Sequence, residues 1–286
     1  MLVKRMFRKI NTLNTKYRQY GIEGVLSIIR RRLLPGLAEQ KAKGYIQTPM
    51  AYALTWLAEA QSFSIIQIGA YIGDSYNDPI YKFLRQQEHR QGKQKAKESK
   101  AILVEPVKEY FQQLKQNYNG LSNVCFENVA IAESSGIRDF YRLAADPTSY
   151  GYPAWLSQLG SLKEERMTKL WDNYEKNREY QEFYLKHRII EQVQCITLAE
   201  LLDRHAITEV DLLQIDAEGY EFEILSAIDF QVKRPRFINY ERVLLHEKEI
   251  QCRQMLLDAA YLLIDWGQDT FCIREEDKSF QELLGS

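Results

Sequence analysis

Long apolar runs are missing from this chain of 286 residues: none approaches the roughly 20 needed to span a bilayer. A transmembrane anchor is therefore not expected. MLVKRMFRKINTLNT carries positive charge without a continuous apolar stretch, so a secretory leader is not expected either. Cysteine is scarce. Cys125, Cys195, Cys252 and Cys272 stand far apart, three of them within apolar runs, and they form neither a disulfide framework nor a CxxC knuckle. Reduced core thiols in a cytoplasmic protein fit that usage. Histidine and cysteine do not cluster, and no spacing of ligand-type residues argues for a metal, with a magnesium-assisted mechanism as the alternative to a metal-free one. Two phosphate-binding signatures are absent as well. Gly69-Ala-Tyr-Ile-Gly73 lacks the middle glycine of a dinucleotide turn, and no GK[ST] occurs.

What is present is 45% hydrophobic and 12% aromatic residues, ample for one sizeable core. A net charge of -1 hides an asymmetry, because residues 1–45 hold eleven Lys/Arg against Glu23 and Glu39. Such an arm is a solvated helical extension or a contact to an anionic surface, including peripheral contact with a membrane. Between 17 and 34 the apolar spacing predicts a helix, ended by Pro35-Gly36, and Thr48-Pro49 opens a second. We place a basic helical extension at 1–59 and one α/β domain at 60–286.

In that domain short apolar strands alternate with helices: SIIQIGA, AILVEP, VCFENVAIAE, LLQID and FINYE. A helix is expected from Asp78 to Gln87, a polar excursion over 87–100, and an antiparallel closing pair in YLLIDW and TFCIRE. This pattern predicts a mostly parallel sheet covered by helices on both faces. Its ligand crevice should lie beyond the carboxyl ends of the strands. A Tyr/Trp-rich insertion at about 143–192 interrupts the rhythm. It reads as a lid over an acceptor or as a helical cap whose aromatics pack on the sheet.

The residues following each strand are the informative ones. Gly69 and Gly73 sit in the turn after the first strand, where glycine permits positive φ and close approach of a ligand. Without a pyrophosphate cradle, this turn suits a nucleoside cofactor lacking phosphates. Glu105 ends the second strand, where a carboxylate can accept hydrogen bonds from both ribose hydroxyls. Asn128, Val129 and Ala130, late in the third strand, fall where an adenine would lie.

QIGAYIGDSYNDP, LVEP with FQQLKQNY, ENVAIAE, WLSQLGSL, LLQIDAEGYEFEIL and FINYE together resemble, in this order, the FkbM-type methyltransferases. The resemblance covers about 60 to 275. It implies a class I S-adenosylmethionine fold that transfers methyl to oxygen of a sugar, natural product or similar small acceptor. On this resemblance Gln67, Gly69, Ala70, Tyr71, Gly73, Asp74, Asn77 and Asp78 surround the methionine end of the cofactor. Glu105 and Pro106 border the ribose, Asn128 to Ala130 the adenine, and Asp216 the junction with the acceptor. Gln67 departs from the acidic residue many methyltransferases have at this point, leaving the cofactor ammonium to Asp74, Asp78 or Asp216.

A hydroxyl acceptor must lose a proton, for which Asp216, Glu218, Glu241 and His246 are base candidates; a carboxylate acceptor needs none. Asp216, Glu241 and His246 form the expected catalytic set, and His187, in the insertion, ranks below them. Glu221 and Glu223 are read as solvated carboxylates in the first turn of the next helix. Nucleic acid is not an expected partner, since no Asn/Asp-Pro-Pro-aromatic tetrad follows LLQID. The insertion suits a glycan, a peptide carboxylate or an aromatic acceptor equally. The alternative is a non-catalytic module of the same fold, docked to a membrane or partner through residues 1–45.

Overall fold

Strands β1 (Ser64–Ile68), β2 (Lys100–Val104), β8 (Leu212–Ile215) and β9 (Phe237–Glu241) are mostly apolar and buried at nearly every position, as strands covered on both faces must be. They pair in parallel, so that Ile66 stands between Ile102 and Leu213. The computed structural model describes residues 48–73, 78–95, 99–165 and 177–277, and Thr48–Asp277 form one unit. The amino-terminal arm and the helix expected at 17–34 lie outside the described residues.

Among the described residues, seven strands make the main sheet in the order β10-β11-β9-β8-β1-β2-β3. Here β3 is Val124–Glu127, and β10 (Tyr261–Trp266) and β11 (Asp269–Arg274) are the expected antiparallel pair, with β11 slotted beside β9. The chain runs outward through β2 and β3 on one side of β1 and through β8 and β9 on the other. The switch point, and with it the crevice, falls at the carboxyl ends of β1 and β8.

Helix α1 (Pro49–Glu59) begins at the predicted cap, where Thr48 Oγ1 accepts the Ala51 N–H at 3.0 Å. It buries Met50, Ala53, Leu54 and Leu57, and Trp56 meets the edge of Phe237, so the boundary drawn at 59 falls inside packed structure. Helix α2 (Pro79–Lys95) continues to Lys95, into the segment read as a polar excursion. Its Gln, Arg, Lys and Glu residues are good helix formers, and polarity alone does not end a helix. Helix α3 (Lys108–Asn117) follows β2.

The expected third strand is two. After β3 the chain leaves the main sheet, and β4 (Ala130–Ile131) joins a second sheet. The break sits at Asn128, whose Nδ2 donates to the carbonyls of Glu105 and Pro106, both at 2.9 Å. The second sheet has the order β4-β7-β5-β6, with β5 at Gly136–Leu143, β6 at Gly160–Ser161 and β7 at Arg188–Ile196. β7 starts five residues before the expected VQCIT because it pairs with β5 along its whole length, from Gly136↔Cys195 to Leu143↔Arg188.

Between β5 and β7 the insertion contributes two short 3-10 turns, Pro147–Tyr150 and Ala154–Gln158, and helix α4 (Asn177–His187). Leu143, Leu156, Leu159, Phe183 and Tyr184 form its own core, with Tyr152 stacked on Phe183 at 4.3 Å. Trp171 and Tyr174 lie outside the described residues. Helices α5 (Leu198–Arg204), α6 (Glu221–Ser226) and α7 (Glu249–Asp258) complete the unit. Among the described residues no helix is long and apolar enough to cross a membrane.

Candidate active site

A cavity of about 420 Å³ opens over the carboxyl ends of β1, β2 and β8, the place the topology indicates. Its floor begins with the turn after β1. The N–H groups of Gly69 and Ala70 both donate to the Val104 carbonyl at 3.0 Å, and the Asp216 N–H donates to Ile68 at 3.0 Å. Those bonds bring the β8 turn so near that a Cβ on Gly69 (φ +77°) would lie 1.7 Å from the Asp216 carbonyl oxygen. Gly73 has a different task. A Cβ there would strike the Tyr118 ring at 2.2 Å, so this glycine admits α3 rather than a ligand, and it does not line the cavity.

Glu105 is buried at the end of β2 and binds the turn from below. Its Oε2 accepts the Tyr71 N–H at 2.9 Å and its Oε1 the Val107 N–H at 2.8 Å. Burial nevertheless pushes its carboxyl up to about 7, and the two N–H donors offset only part of that. Each oxygen keeps a lone pair toward the cavity side, where Pro106, Val129 and Ala130 also lie. Both amide hydrogens of Asn128 hold the β2 turn, which leaves only its Oδ1 to read a base edge, and Asn128 is not among the residues lining the cavity.

The sheet itself supplies polar groups that periodicity reasoning passes over. Gln67, Gln214 and Asn239 are register partners across β1, β8 and β9, and all three line the cavity. Asn239 Nδ2 donates to Gln214 Oε1 at 2.9 Å and to Asp269 Oδ2 at 3.0 Å. Gln67 Nε2 donates to Asp78 Oδ2 at 2.9 Å, while Gln67 Oε1 is buried without a hydrogen-bond partner. Asp78 also caps α2 through the Ile80 N–H, and burial raises its pKa. Asp74 and Asn77 lie outside the described residues.

The loop after β8 holds the acids. Glu218 (φ +50°) and Gly219 (φ +89°) turn the chain in the left-handed region before α6 starts at Glu221. Asp216 stands in the recess after β8 with its side chain exposed to the cavity. Desolvation there, and then Asp269 and Asp78, push its carboxyl up to about 6. Burial, reinforced by Glu241, raises Glu218 as well.

Glu221 and Glu223 are not the solvated pair expected. Glu221 is fully buried, its Oε1 accepting the N–H groups of Ala217 (2.9 Å) and Gly219 (3.3 Å), and burial pushes it up to about 7. Glu223 is held between Lys163 and Lys248, which outweigh its burial and keep its pKa low. Glu241 ends β9 outside the cavity lining. It joins Asp216 and Glu221 in a cluster whose nearest carboxylate oxygens all lie within 4.8 Å of one another. Burial and those neighbours push Glu241 up to about 9. His246 is on a 3-10 turn beyond β9 and does not line the cavity, so it is not placed as a base there. His187 packs its ring against Phe183 and Tyr150 in the insertion core.

The family model described as the methyltransferase FkbM domain matches residues 67–268. The chain belongs to the FkbM methyltransferase family. No curated protein matches it. Among solved structures it is similar to methyltransferase FkbM from Methylobacillus flagellatus KT, with 10% identity and a TM-score of 0.39. That match covers 74% of this chain, which spans 44% of the length of the other. It is also similar to precorrin-6y C5,15-methyltransferase from Geobacter metallireducens GS-15, with 10% identity and a TM-score of 0.37, over 80% of this chain and 88% of that one.

In this member of the FkbM family the insertion is fastened to the glycine turn. Tyr71 and Tyr110 meet edge to face at 4.6 Å, Tyr71 Oη lies 3.2 Å from Ser157 Oγ, and Tyr110 Oη donates to the Ser157 carbonyl at 3.0 Å. Gln158, Leu159 and Gly160 thereby form part of the cavity wall, and Trp266, half-exposed, stands at its rim. Arg142 also lines the wall, but its charge is met by Glu109 and Glu191, each at 2.8 Å.

Proposed function

We propose that this methyltransferase uses S-adenosylmethionine to methylate an oxygen of a small-molecule or sugar acceptor. The observation that carries the reading is a crevice at the strand ends in which carboxylates stand without a countercharge. Among the described residues no lysine or arginine makes a salt bridge to Asp216 or Glu218, the two acids of the β8 turn that line it. A cavity of that sign suits a ligand bearing a sulfonium and an ammonium. Gln67 supports the same fit, because it lines the cavity and its buried Oε1 lacks a donor. An ammonium there would satisfy it, with Asp78 alongside, although the usual acidic residue is replaced by an amide. Glu105 offers its remaining lone pairs to ribose hydroxyls.

When bound, the cofactor supplies an electrophilic methyl carried on a sulfonium. The chain's own part is alignment, exclusion of water and handling of one proton. The tyrosine-fastened insertion wall and Trp266 confine the acceptor, and Asp216 faces the space where it must lie. A carboxylate whose pKa is lifted to about 6 is still ionised at neutral pH and is a stronger base than a free aspartate. That suits a hydroxyl acceptor better than a carboxylate acceptor, which the ionised Asp216 would repel.

Titration calorimetry with S-adenosylmethionine and with NAD, on the full chain, tests the reading. Saturable binding of the first and none of the second is expected. Binding of NAD alone would overturn it.

A further inference from the structure

The acids that converge behind Asp216 come from three elements: the turn after β8, the first residue of α6 and the end of β9. Asp216, Glu221 and Glu241 each bring one carboxylate oxygen to within 4.8 Å of the other two. Three carboxylates this close repel one another unless a proton or a cation holds them together, and of the three only Asp216 opens to the cavity. Hydrogen bonding within the loop accounts for part of Glu221 only, since Oε1 takes the Ala217 and Gly219 N–H groups. Its other oxygen, Oε2, is buried with no hydrogen-bond partner, on a side chain with no exposure to solvent. A buried acceptor without a donor, set beside two more carboxylates, suits a cation better than one further N–H.

We propose that Asp216, Glu221 and Glu241 form a divalent-cation site at the floor of the cavity. Hard cations take carboxylate oxygens at about 2.3–2.6 Å for Ca²⁺ and about 2.0–2.1 Å for Mg²⁺, so three oxygens evenly spaced around one ion stand at most about 4.0–4.5 Å apart on Ca²⁺ and about 3.5–3.6 Å apart on Mg²⁺. Oxygens spread over as much as 4.8 Å therefore draw in on binding, less for a Ca²⁺-sized ion than for Mg²⁺ or Mn²⁺. Three protein ligands leave about three of six positions open. Asp216 alone of the three lines the cavity, so the open positions face the acceptor. This use of the site rests on the proposed methyl transfer. Two neighbouring oxygens of the acceptor, as in a sugar diol or a hydroxy acid, would occupy two positions. The coordinated hydroxyl would then lose its proton more readily, to the Asp216 oxygen that does not hold the cation, and its oxygen would form the new bond to methyl as the carbon–sulfur bond breaks and the thioether leaves.

Mn²⁺ itself is the probe. The metal-stripped full chain is titrated with Mn²⁺ and the free ion is followed by electron paramagnetic resonance, with Mg²⁺ and Ca²⁺ as competitors. One Mn²⁺ per chain is expected, weakened at least tenfold in both Glu221→Gln and Glu241→Gln and unchanged in the exposed control Glu209→Gln. The Glu221→Gln side chain keeps the oxygen that the Ala217 and Gly219 N–H groups need, and far-UV circular dichroism melts report whether each variant is folded. No binding up to about 1 mM free Mn²⁺, the weak end of protein sites, would overturn the proposal, as would equal affinity in wild type and both variants. S-adenosylmethionine calorimetry on the same metal-stripped sample separates the two readings. Cofactor binding without Mn²⁺ binding removes the metal site alone, whereas loss of cofactor binding in every metal condition removes the methyltransferase chemistry with it.

Discussion

Glu105→Gln isolates the ionisation of one buried carboxyl that holds the floor of the crevice. In the wild type that carboxyl is raised from 4.5 to about 7, burial outweighing the N–H donors of Val107 and Tyr71. A carboxyl raised on folding contributes stability that is fully present below its unfolded value near 4.5 and is lost as pH rises through about 7. At 1.36 kcal/mol per unit the loss is roughly 3 kcal/mol. Glutamine cannot ionise, so it lacks this slope. It also turns an N–H of its own toward Tyr71 or Val107, a constant penalty of about 1–3 kcal/mol. The single-pH difference mixes both effects, but its change with pH contains only the first. Urea unfolding of both proteins at pH 4.5, 6, 7 and 8 should show the wild type falling by roughly 3 kcal/mol relative to Glu105→Gln across that range. Parallel curves, or a wild type that gains on the variant, would refute the assignment of Glu105 as a buried, raised carboxyl. Cofactor hydroxyls hydrogen-bonding the ionised form would flatten the wild-type slope, so the series is run without ligand first.

Three further substitutions test other parts of the site. Asp216→Asn should lower transfer of label from methyl-labelled S-adenosylmethionine to a small-molecule extract by about 10² or more, yet leave thermal stability equal or higher, because it relieves repulsion with Asp269 and Asp78; normal transfer would return Asp216 to a folding role. Gly69→Ala should destabilise far more than Gly120→Ala. Both glycines have positive φ, worth about 1–2 kcal/mol to a side chain, but only at Gly69 would the new Cβ meet the Asp216 carbonyl at 1.7 Å, whereas nothing lies within 4 Å at Gly120. Similar melting shifts for the two would show that the β1 and β8 turns move apart freely. Phe183→Ala removes the ring stacked on Tyr152, a truncation costing about 3–5 kcal/mol; limited proteolysis should then cut within 144–187 while the sheet stays intact, and a single cooperative loss of the whole chain would show that the insertion has no core of its own.

Much of the sheet is legible because SIIQI, AILV, LLQI and FINYE are apolar on both faces, which only a doubly covered strand requires. VCFENVAIAE reads as one strand for the same reason, since nothing in its apolar pattern records that Asn128 donates to two carbonyls of another turn. Glu221 shows a related limit. Its place in the first turn of a helix suggests solvent, but α6 begins beneath the loop, and the N–H groups of Ala217 and Gly219 draw the carboxylate inward.

The amide row is open to reading, although strand periodicity does not single it out. Each of SIIQI, LLQID and FINYE carries one amide amid its apolar residues, in a position where a buried polar side chain needs a partner or a ligand. The acids are different in kind. Strand ends predict that Asp216 and Glu241 face the crevice, because strands of a parallel sheet finish at one edge. That Asp269 also arrives there depends on β11 running antiparallel to β9, with Asp269 opposite Glu241. That Glu221 arrives depends on where α6 starts. Neither is a local property of the chain, so a cluster built from residues 216, 221 and 241 has no spacing to recognise. An acid whose neighbours come from other elements is legible only once register is known, and register follows from packing the apolar strands, not from the acids themselves.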